Sequence, residues 1–170
     1  MIVVADSSPL ITLARAQQLE LLHEFYSEIA VPPEVYDEVT VAGAGLAGAE
    51  EVRKASWIRV QSNPSEPSAA VKAACSGLGM GERGAIYLAS ALGADLTLID
   101  EGRARRAAKS VGLSVAGSIA ILERGAKLKK IGDLRAIYLN LLDQGIRFDR
   151  KLLERSLTAL GLAGLGGQGD

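Results

Sequence analysis

Short apolar runs alternate along the chain with longer segments in which apolar residues recur every three or four positions. Five runs have the length of strands, at 2–6, 28–31, 57–61, 96–99 and 113–115. The segments between them, such as 10–16, 18–25 and 81–92, each carry one apolar stripe, as helices that pack on one face do. Strands separated by helices indicate a parallel sheet. The sequence therefore predicts a three-layer α/β/α sandwich with a mainly parallel central sheet, and strand 57–61 is expected at its edge.

Proline, glycine and aspartate mark the ends of several elements. Pro32-Pro33 stops the second strand, and a helix is predicted from Glu34 to about Thr40. The small, Gly-rich residues 41–49 predict a flexible connection. Asp133 and Asp149 are expected to cap two further helices towards the end of the chain, because an aspartate side chain can accept hydrogen bonds from free backbone N–H groups.

Length and composition narrow the class of protein. We expect one domain over residues 1–160, followed by a disordered Gly-rich tail at 161–170. With a net charge of −1 the protein as a whole does not attract the negatively charged phosphates of nucleic acid. Any contact with nucleic acid therefore has to come from a local basic patch. A single cysteine, Cys75, and the absence of a long apolar segment favour a cytoplasmic protein without a membrane span.

Two aspartates stand directly after predicted strands. Asp6 follows the apolar residues 2–5, and Asp100 follows 96–99. A carboxylate at the carboxyl end of a buried parallel strand points into the crevice where open α/β sheets bind ligands. Each aspartate is also a plausible helix N-cap, and the two roles do not exclude each other.

Two glutamates complete a candidate acidic site. Glu82 begins a helix among Gly79, Gly81 and Gly84, which would let a substrate backbone approach. A glutamate in a first helical turn is also explained by the helix dipole. Glu38 lies on the helix after Pro33, where a solvated surface position is the simpler interpretation.

Together the four carboxylates indicate a metal site. Carboxylates that converge in one crevice repel one another unless a cation compensates their charge. Oxygen ligands without cysteine or histidine favour Mg²⁺ or Mn²⁺ over zinc. Such an ion supports attack of water on a phosphodiester. The residues alone thus predict metal-dependent phosphodiester hydrolysis at Asp6, Glu38, Glu82 and Asp100.

Four motifs occur in order within residues 1–158. They are 4–10 (VADSSPL), 31–39 (VPPEVYDEV), 79–83 (GMGER) and 99–105 (IDEGRAR). In this order they resemble PIN domains, and specifically VapC-type toxins of type II toxin–antitoxin systems. The resemblance implies a PIN-like fold and a Mg²⁺- or Mn²⁺-dependent endoribonuclease. It also implies an RNA substrate, a small cognate antitoxin as partner, and a homodimer.

The resemblance assigns roles to single residues. Asp6, Glu38, Glu82 and Asp100 fall on the family's acidic quartet, as catalytic and metal-binding residues. The third member is usually aspartate, and the family usually has Thr or Ser where Leu98 stands here. Because Leu98 has no hydroxyl, the resemblance does not provide a supporting hydroxyl beside Asp100 at that position.

Four further residues are candidates for binding substrate. Ser7 or Ser8 is placed to hydrogen-bond a ligand water or Asp6. Arg103 and Arg106 share one helix face and are suited to RNA phosphates. For their neighbour Arg105 the sequence favours an ordinary solvated position.

Two rival functions belong to other classes. A phosphohydrolase of the haloacid-dehalogenase kind needs a second aspartate two residues after Asp6, and Ser8 occupies that position. A non-catalytic regulatory or binding module is the other rival, because an intact acidic quartet does not prove turnover.

Overall fold

The computed structural model describes residues 1–46 and 48–166. The strands are β1 Val3–Ala5, β2 Ile29–Val31, β3 Ile58–Val60, β4 Leu96–Leu98 and β5 Val115–Ala116. The helices are α1 Ser7–Arg15, α2 Glu20–Tyr26, α3 Pro33–Asp37, α4 Ala49–Lys54, α5 Ala69–Ala74, α6 Met80–Leu92, α7 Gly102–Ser110, α8 Ser118–Lys127, α9 Leu134–Asp143 and α10 Arg150–Ala159. A π-helical turn, Glu38–Ala42, continues α3. None of these helices is long and apolar enough to cross a membrane.

The five described strands form one parallel sheet in the order β3-β2-β1-β4-β5. Val4 in the central strand pairs with Ala30 on one side and Thr97 on the other. The strand order reverses between β1 and β4, which is where open α/β sheets form a ligand crevice at their carboxyl ends. The predicted α/β sandwich is confirmed, and β3 lies at the sheet edge as expected.

The sheet is held by small and branched apolar side chains. Val4 has no exposed surface, because α6 covers it with Ala85, Leu88 and Ala89. A second cluster joins α5, α6 and α7 around Cys75, Ile86, Ile99 and other buried residues of these elements. This packing fixes the start of α6 relative to the ends of β1 and β4, where the carboxylates stand.

The chain divides into two compact units, 1–118 and 119–170. In the second unit α9 and α10 are joined by a buried hydrogen bond of 2.7 Å between the hydroxyls of Tyr138 and Ser156. The predicted caps are confirmed: Asp133 accepts from the Ala136 N–H, and Asp149 accepts from the Lys151 N–H. The single domain predicted over 1–160 stays a prediction.

The predicted tail is described only in part. Leu165 is buried, and its N–H donates to Glu154 at 3.0 Å. Arg135 donates to the carbonyl oxygens of Gly164 and Leu165. Residues 167–170 lie outside the described residues, so the disordered tail stays a prediction.

Two local predictions differ from the structure. The helix predicted over 34–40 changes from α to π geometry at Glu38, because the Gly43 N–H bonds to the carbonyl five residues back. The last strand begins two residues later than predicted, at Val115, since β4 sets its register.

Candidate active site

Asp6 is a buried carboxylate without a full set of partners. It is 1% exposed and immediately follows β1. Although it occupies the N-cap position of α1, its side chain makes no capping hydrogen bond. The Ser7 hydroxyl reaches Asp6 Oδ1 at 3.4 Å, while Asp6 Oδ2 has no partner. The carboxylate is therefore free to bind a ligand, and the simple capping interpretation is wrong.

Glu38 reaches the same place from the end of α3. An added Cβ at Gly81 would lie 2.6 Å from Glu38 Oε2 and 3.4 Å from Asp6 Oδ1. Both carboxylates therefore converge on the first turn of α6, and a side chain at position 81 would displace the Glu38 carboxylate from this place. The structure thus brings Glu38, which sequence alone left as a solvated surface residue, to Asp6.

Glu82 has an identifiable structural role. Its Oε2 accepts a hydrogen bond of 2.8 Å from the Gly79 N–H and so caps α6. Glu82 also lines the same cleft as Asp6 and Glu38. Glu82 therefore combines a capping bond with a position in the cleft.

Asp100 is held by the neighbouring strand end. Its Oδ1 accepts from the Ser118 N–H at 2.6 Å, and its Oδ2 is buried without a partner. An added Cβ at Gly117 would lie 2.7 Å from Asp100 Oδ1, so a side chain at this position would displace the Asp100 carboxylate. The helix that follows is capped by Glu101, which accepts from the Ala104 N–H, and not by Asp100.

Sequence reasoning did not identify Gly117 and Ser118 as parts of this site. A signal existed: they follow β5, and β5 lies beside β4 in the sheet. Residues that follow neighbouring parallel strands meet at one edge. The pairing of these two strands is a tertiary fact, however, and the short run at 113–115 did not reveal it.

A cleft of about 700 Å³ opens over Asp6 and Glu38. Its lining is acidic near the strand end and apolar at Pro33, Val41 and Met80. The lining residues are Asp6, Ser7, Ser8, Pro33, Glu34, Asp37, Glu38, Val41, Ala42, Gly79, Met80, Gly81 and Glu82. Asp100 is not among them, so the cleft contains three of the four predicted carboxylates.

The cleft raises the pKa of Asp6 from 3.8 to about 7. Burial is the main cause of this rise. The hydrogen bond from the Ser7 N–H lowers the pKa, whereas the negative charges of Glu82, Glu38 and Asp100 raise it further. Burial also raises the pKa of Asp100, although the hydrogen bond from the Ser118 N–H and the positive charge of Arg105 lower it in part. Asp6 thus interacts electrostatically with each of the other three carboxylates, which is the situation in which a cation is stabilising.

The residues fit a hard cation held by few protein ligands. Across residues 1–46 and 48–166, no three Asp, Glu, His or Cys side chains are grouped as a ready metal site. Mg²⁺ keeps several waters and commonly binds through one or two carboxylates. Asp6 supplies a buried oxygen with no other partner, and Glu38 lies next to it. These two residues are the best candidates for direct ligands.

The candidate substrate-binding residues lie in different places. Ser7 and Ser8 line the cleft, and Ser7 supports Asp6. Arg103 donates to the Ser76 carbonyl at 3.2 Å, and Arg106 is exposed on α7. The solvated position favoured for Arg105 is wrong. Its side chain is half-buried and donates to the Ile99 carbonyl at 2.8 Å, and its positive charge therefore acts on the neighbouring Asp100.

The raised pKa values predict that the metal-free protein loses stability as pH rises. Between pH of about 4 and about 7 the folded state binds more protons than the unfolded state, so the free energy of unfolding falls and then levels off. Asp6 alone contributes at most about 4 kcal/mol to this fall. Urea unfolding in EDTA, compared at about pH 5 and about pH 8, measures it. Asp6→Asn should flatten the dependence, and an unchanged slope in that variant would contradict the assignment.

Glu82 variants separate its capping role from a role in the cleft. Glu82→Gln keeps an acceptor for the Gly79 N–H, whereas Glu82→Ala removes it and should cost about 1 kcal/mol of stability. If only the cap matters, Glu82→Gln retains the full phosphodiester-cleaving activity that the sequence predicts. Loss of activity in Glu82→Gln at unchanged stability would identify the charge itself as necessary. Thermal unfolding and cleavage rates on the same preparations distinguish the two results.

Comparison with known proteins identifies the family of the chain. A family model for DUF3368, described as a PIN domain, matches residues 2–162. No significant match was found among curated proteins or among solved structures. PIN domains are in general nucleases, so a hydrolase that acts on nucleic acid is supported, and the dehalogenase-like alternative is not. The match covers nearly the whole chain, and the protein therefore belongs to the DUF3368 family of PIN domains.

Proposed function

We propose that this protein is a Mg²⁺- or Mn²⁺-dependent endoribonuclease that hydrolyses RNA phosphodiester bonds in the Asp6 cleft. The observation that carries the proposal is the pair of carboxylates Asp6 and Glu38 at the reversal point of a parallel sheet. Asp6 is buried with one oxygen lacking a partner, and Glu38 approaches it over Gly81. Family membership supports the nuclease class, and the acidic lining supports the need for a cation.

The charge of the cleft explains why a cation is needed. Five carboxylates line it, and its described lining contains no Lys or Arg. A phosphodiester would be repelled from such a surface unless positive charge were bound there. When bound, Mg²⁺ or Mn²⁺ lowers the pKa of a coordinated water and neutralises charge on a phosphate oxygen.

The protein residues then have separate tasks. Asp6 and Glu38 would hold the cation. The Ser7 hydroxyl donates to Asp6, and the absence of a side chain at Gly81 leaves room for the Glu38 carboxylate. In hydrolysis a water oxygen bonds to phosphorus while the bond from phosphorus to the leaving sugar oxygen breaks; the water gives up a proton to solvent and the leaving oxygen takes one up. Asp100 would stabilise a bound cation through its negative charge from the adjacent strand end, where the Ser118 N–H orients its carboxylate.

Cleavage of a panel of structured and unstructured RNAs tests this function. The purified protein is assayed with Mg²⁺, with Mn²⁺ and with EDTA, with DNA of the same sequences and with Asp100→Asn in parallel. Cuts in RNA that require metal and disappear in Asp100→Asn would support the proposal. Cuts that persist in EDTA or in the variant would point to a contaminant. Metal binding with no cleavage of any substrate would favour a non-catalytic binding module.

A toxin role is a finer part of the same proposal. The order of the four motifs resembles VapC-type toxins, which implies a small cognate antitoxin and a homodimer. Induced expression should then arrest growth, and co-expression of the neighbouring small gene product should relieve the arrest and co-purify. Normal growth during accumulation of active nuclease would indicate a housekeeping role instead.

A further inference from the structure

Glu38 begins the π-helical turn Glu38–Ala42, which directly continues α3. The Gly43 N–H closes the turn on the Glu38 carbonyl oxygen at 3.0 Å, five residues back. π-turns are rare, occur mostly as single turns inserted in helices, and are frequent at functional sites. Here the irregular geometry starts at Glu38, whose carboxylate lies with that of Asp6 over Gly81.

Two contacts within the turn fit this geometry. The buried Thr40 donates its hydroxyl to the Tyr36 carbonyl at 2.7 Å, a bond that bends helices. At Gly43 an added Cβ would lie 2.4 Å from the Val39 carbonyl oxygen, which is backbone and cannot move aside. The residue that ends the turn must therefore be glycine.

A third contact comes from outside the turn. Arg53 on α4 donates from Nη2 to the Thr40 carbonyl at 2.5 Å. Its Nη1 forms an ion pair with Glu50, one helical turn earlier, which orients the guanidinium. Carbonyls in the last turn of a helix lack partners within that helix, so Arg53 satisfies one that the π-turn leaves free. Arg53 itself does not line the cleft.

We propose that Arg53 is a positioning residue that keeps Glu38 beside Asp6 by holding the π-turn through the Thr40 carbonyl. The inference deepens the proposed function and rests on it, because the positioned carboxylate is a candidate metal ligand. Arg53 acts through the backbone and touches neither substrate nor cation. Its side chain is 43% exposed, so its removal leaves the buried core unchanged.

Arg53→Ala tests the proposal, with Arg59→Ala as matched control. Arg59 is another exposed arginine in an ion pair, with Glu28 at 3.1 Å, on the edge strand β3. Mn²⁺ binding is measured directly from the paramagnetic resonance signal of free Mn²⁺, beside cleavage rates, amide exchange of Gly43 and thermal unfolding. We expect Mn²⁺ affinity to fall about tenfold in Arg53→Ala, as on loss of partners that orient metal ligands.

Several readouts separate positioning from a general structural effect. In Arg53→Ala the Gly43 amide should exchange faster, KM for RNA should stay unchanged, and excess Mn²⁺ should restore kcat. Arg53→Lys, which can reach one acceptor at a time, should recover part of the affinity. Arg59→Ala should match wild type throughout.

The outcomes that oppose the proposal are specific. Wild-type Mn²⁺ affinity together with unchanged Gly43 exchange in Arg53→Ala would overturn it. An equal loss in Arg59→Ala would also overturn it, since the effect would then be general. Failure of the wild-type protein to bind Mn²⁺ or cleave RNA would refute the proposed function, and Gly43 exchange would still decide whether Arg53 holds the turn.

Discussion

Replacing Asp6 by asparagine is expected to abolish RNA cleavage and, at the same time, to stabilise the metal-free protein above neutral pH. The substitution removes the buried negative charge that we propose as the central ligand, while asparagine keeps nearly the same side-chain shape as aspartate. Loss of about 4 kcal/mol of transition-state stabilisation would lower the rate about a thousandfold. The stability gain follows from the pKa of about 7, since an asparagine needs no desolvation of a charge.

The control for this prediction is Asp37→Asn. Asp37 is exposed and lines the same cleft, but the resemblance does not place it in the acidic quartet. Its neutralisation should change cleavage less than about threefold, as expected for a screened surface charge. Rates under single-turnover conditions and urea unfolding in EDTA would be compared for both variants. Full activity in Asp6→Asn, or equal losses in the two variants, would refute the role assigned to Asp6.

Gly81→Ala is expected to inactivate the protein without unfolding it. The new methyl group would meet Glu38 Oε2 at 2.6 Å, and the flexible glutamate would swing away from Asp6. Alanine is favoured over glycine inside a helix by about 1 kcal/mol, which offsets the crowding. We expect cleavage to fall about a hundredfold, in the range found when a ligand loses its orientation.

Gly102→Ala is the matched control, because Gly102 also lies in a first helical turn. Its added Cβ would meet only Arg106 Nη1, at the ordinary contact distance of 3.6 Å. Mn²⁺ affinity, cleavage rate and thermal midpoint would be measured for both glycine variants. Unchanged Mn²⁺ affinity in Gly81→Ala would show that Glu38 does not take part in binding. A large fall in its thermal midpoint would show that the crowding affects the fold instead.

The sequence by itself determined the parallel α/β fold and two of the acidic positions. The runs before Asp6 and Asp100 are short, apolar and bounded by helix starts, so strand ends could be located from local pattern alone. Capping by Asp133 and Asp149 was equally local, since an N-cap bonds to residues two or three positions away. Family motifs added Glu38 and Glu82 to the candidate site.

Only the tertiary structure decided how those residues meet. Glu38 and Gly81 are 43 positions apart in the chain, and their contact depends on the packing of α3 against α6. Ser118 meets Asp100 because β5 pairs with β4, whereas Arg105 comes near it from α7. The Thr40 carbonyl in the π-turn likewise accepts a hydrogen bond from Arg53, which stands on another helix. Periodicity reports which face of an element is buried, but contacts between distant elements arise only when those faces pack.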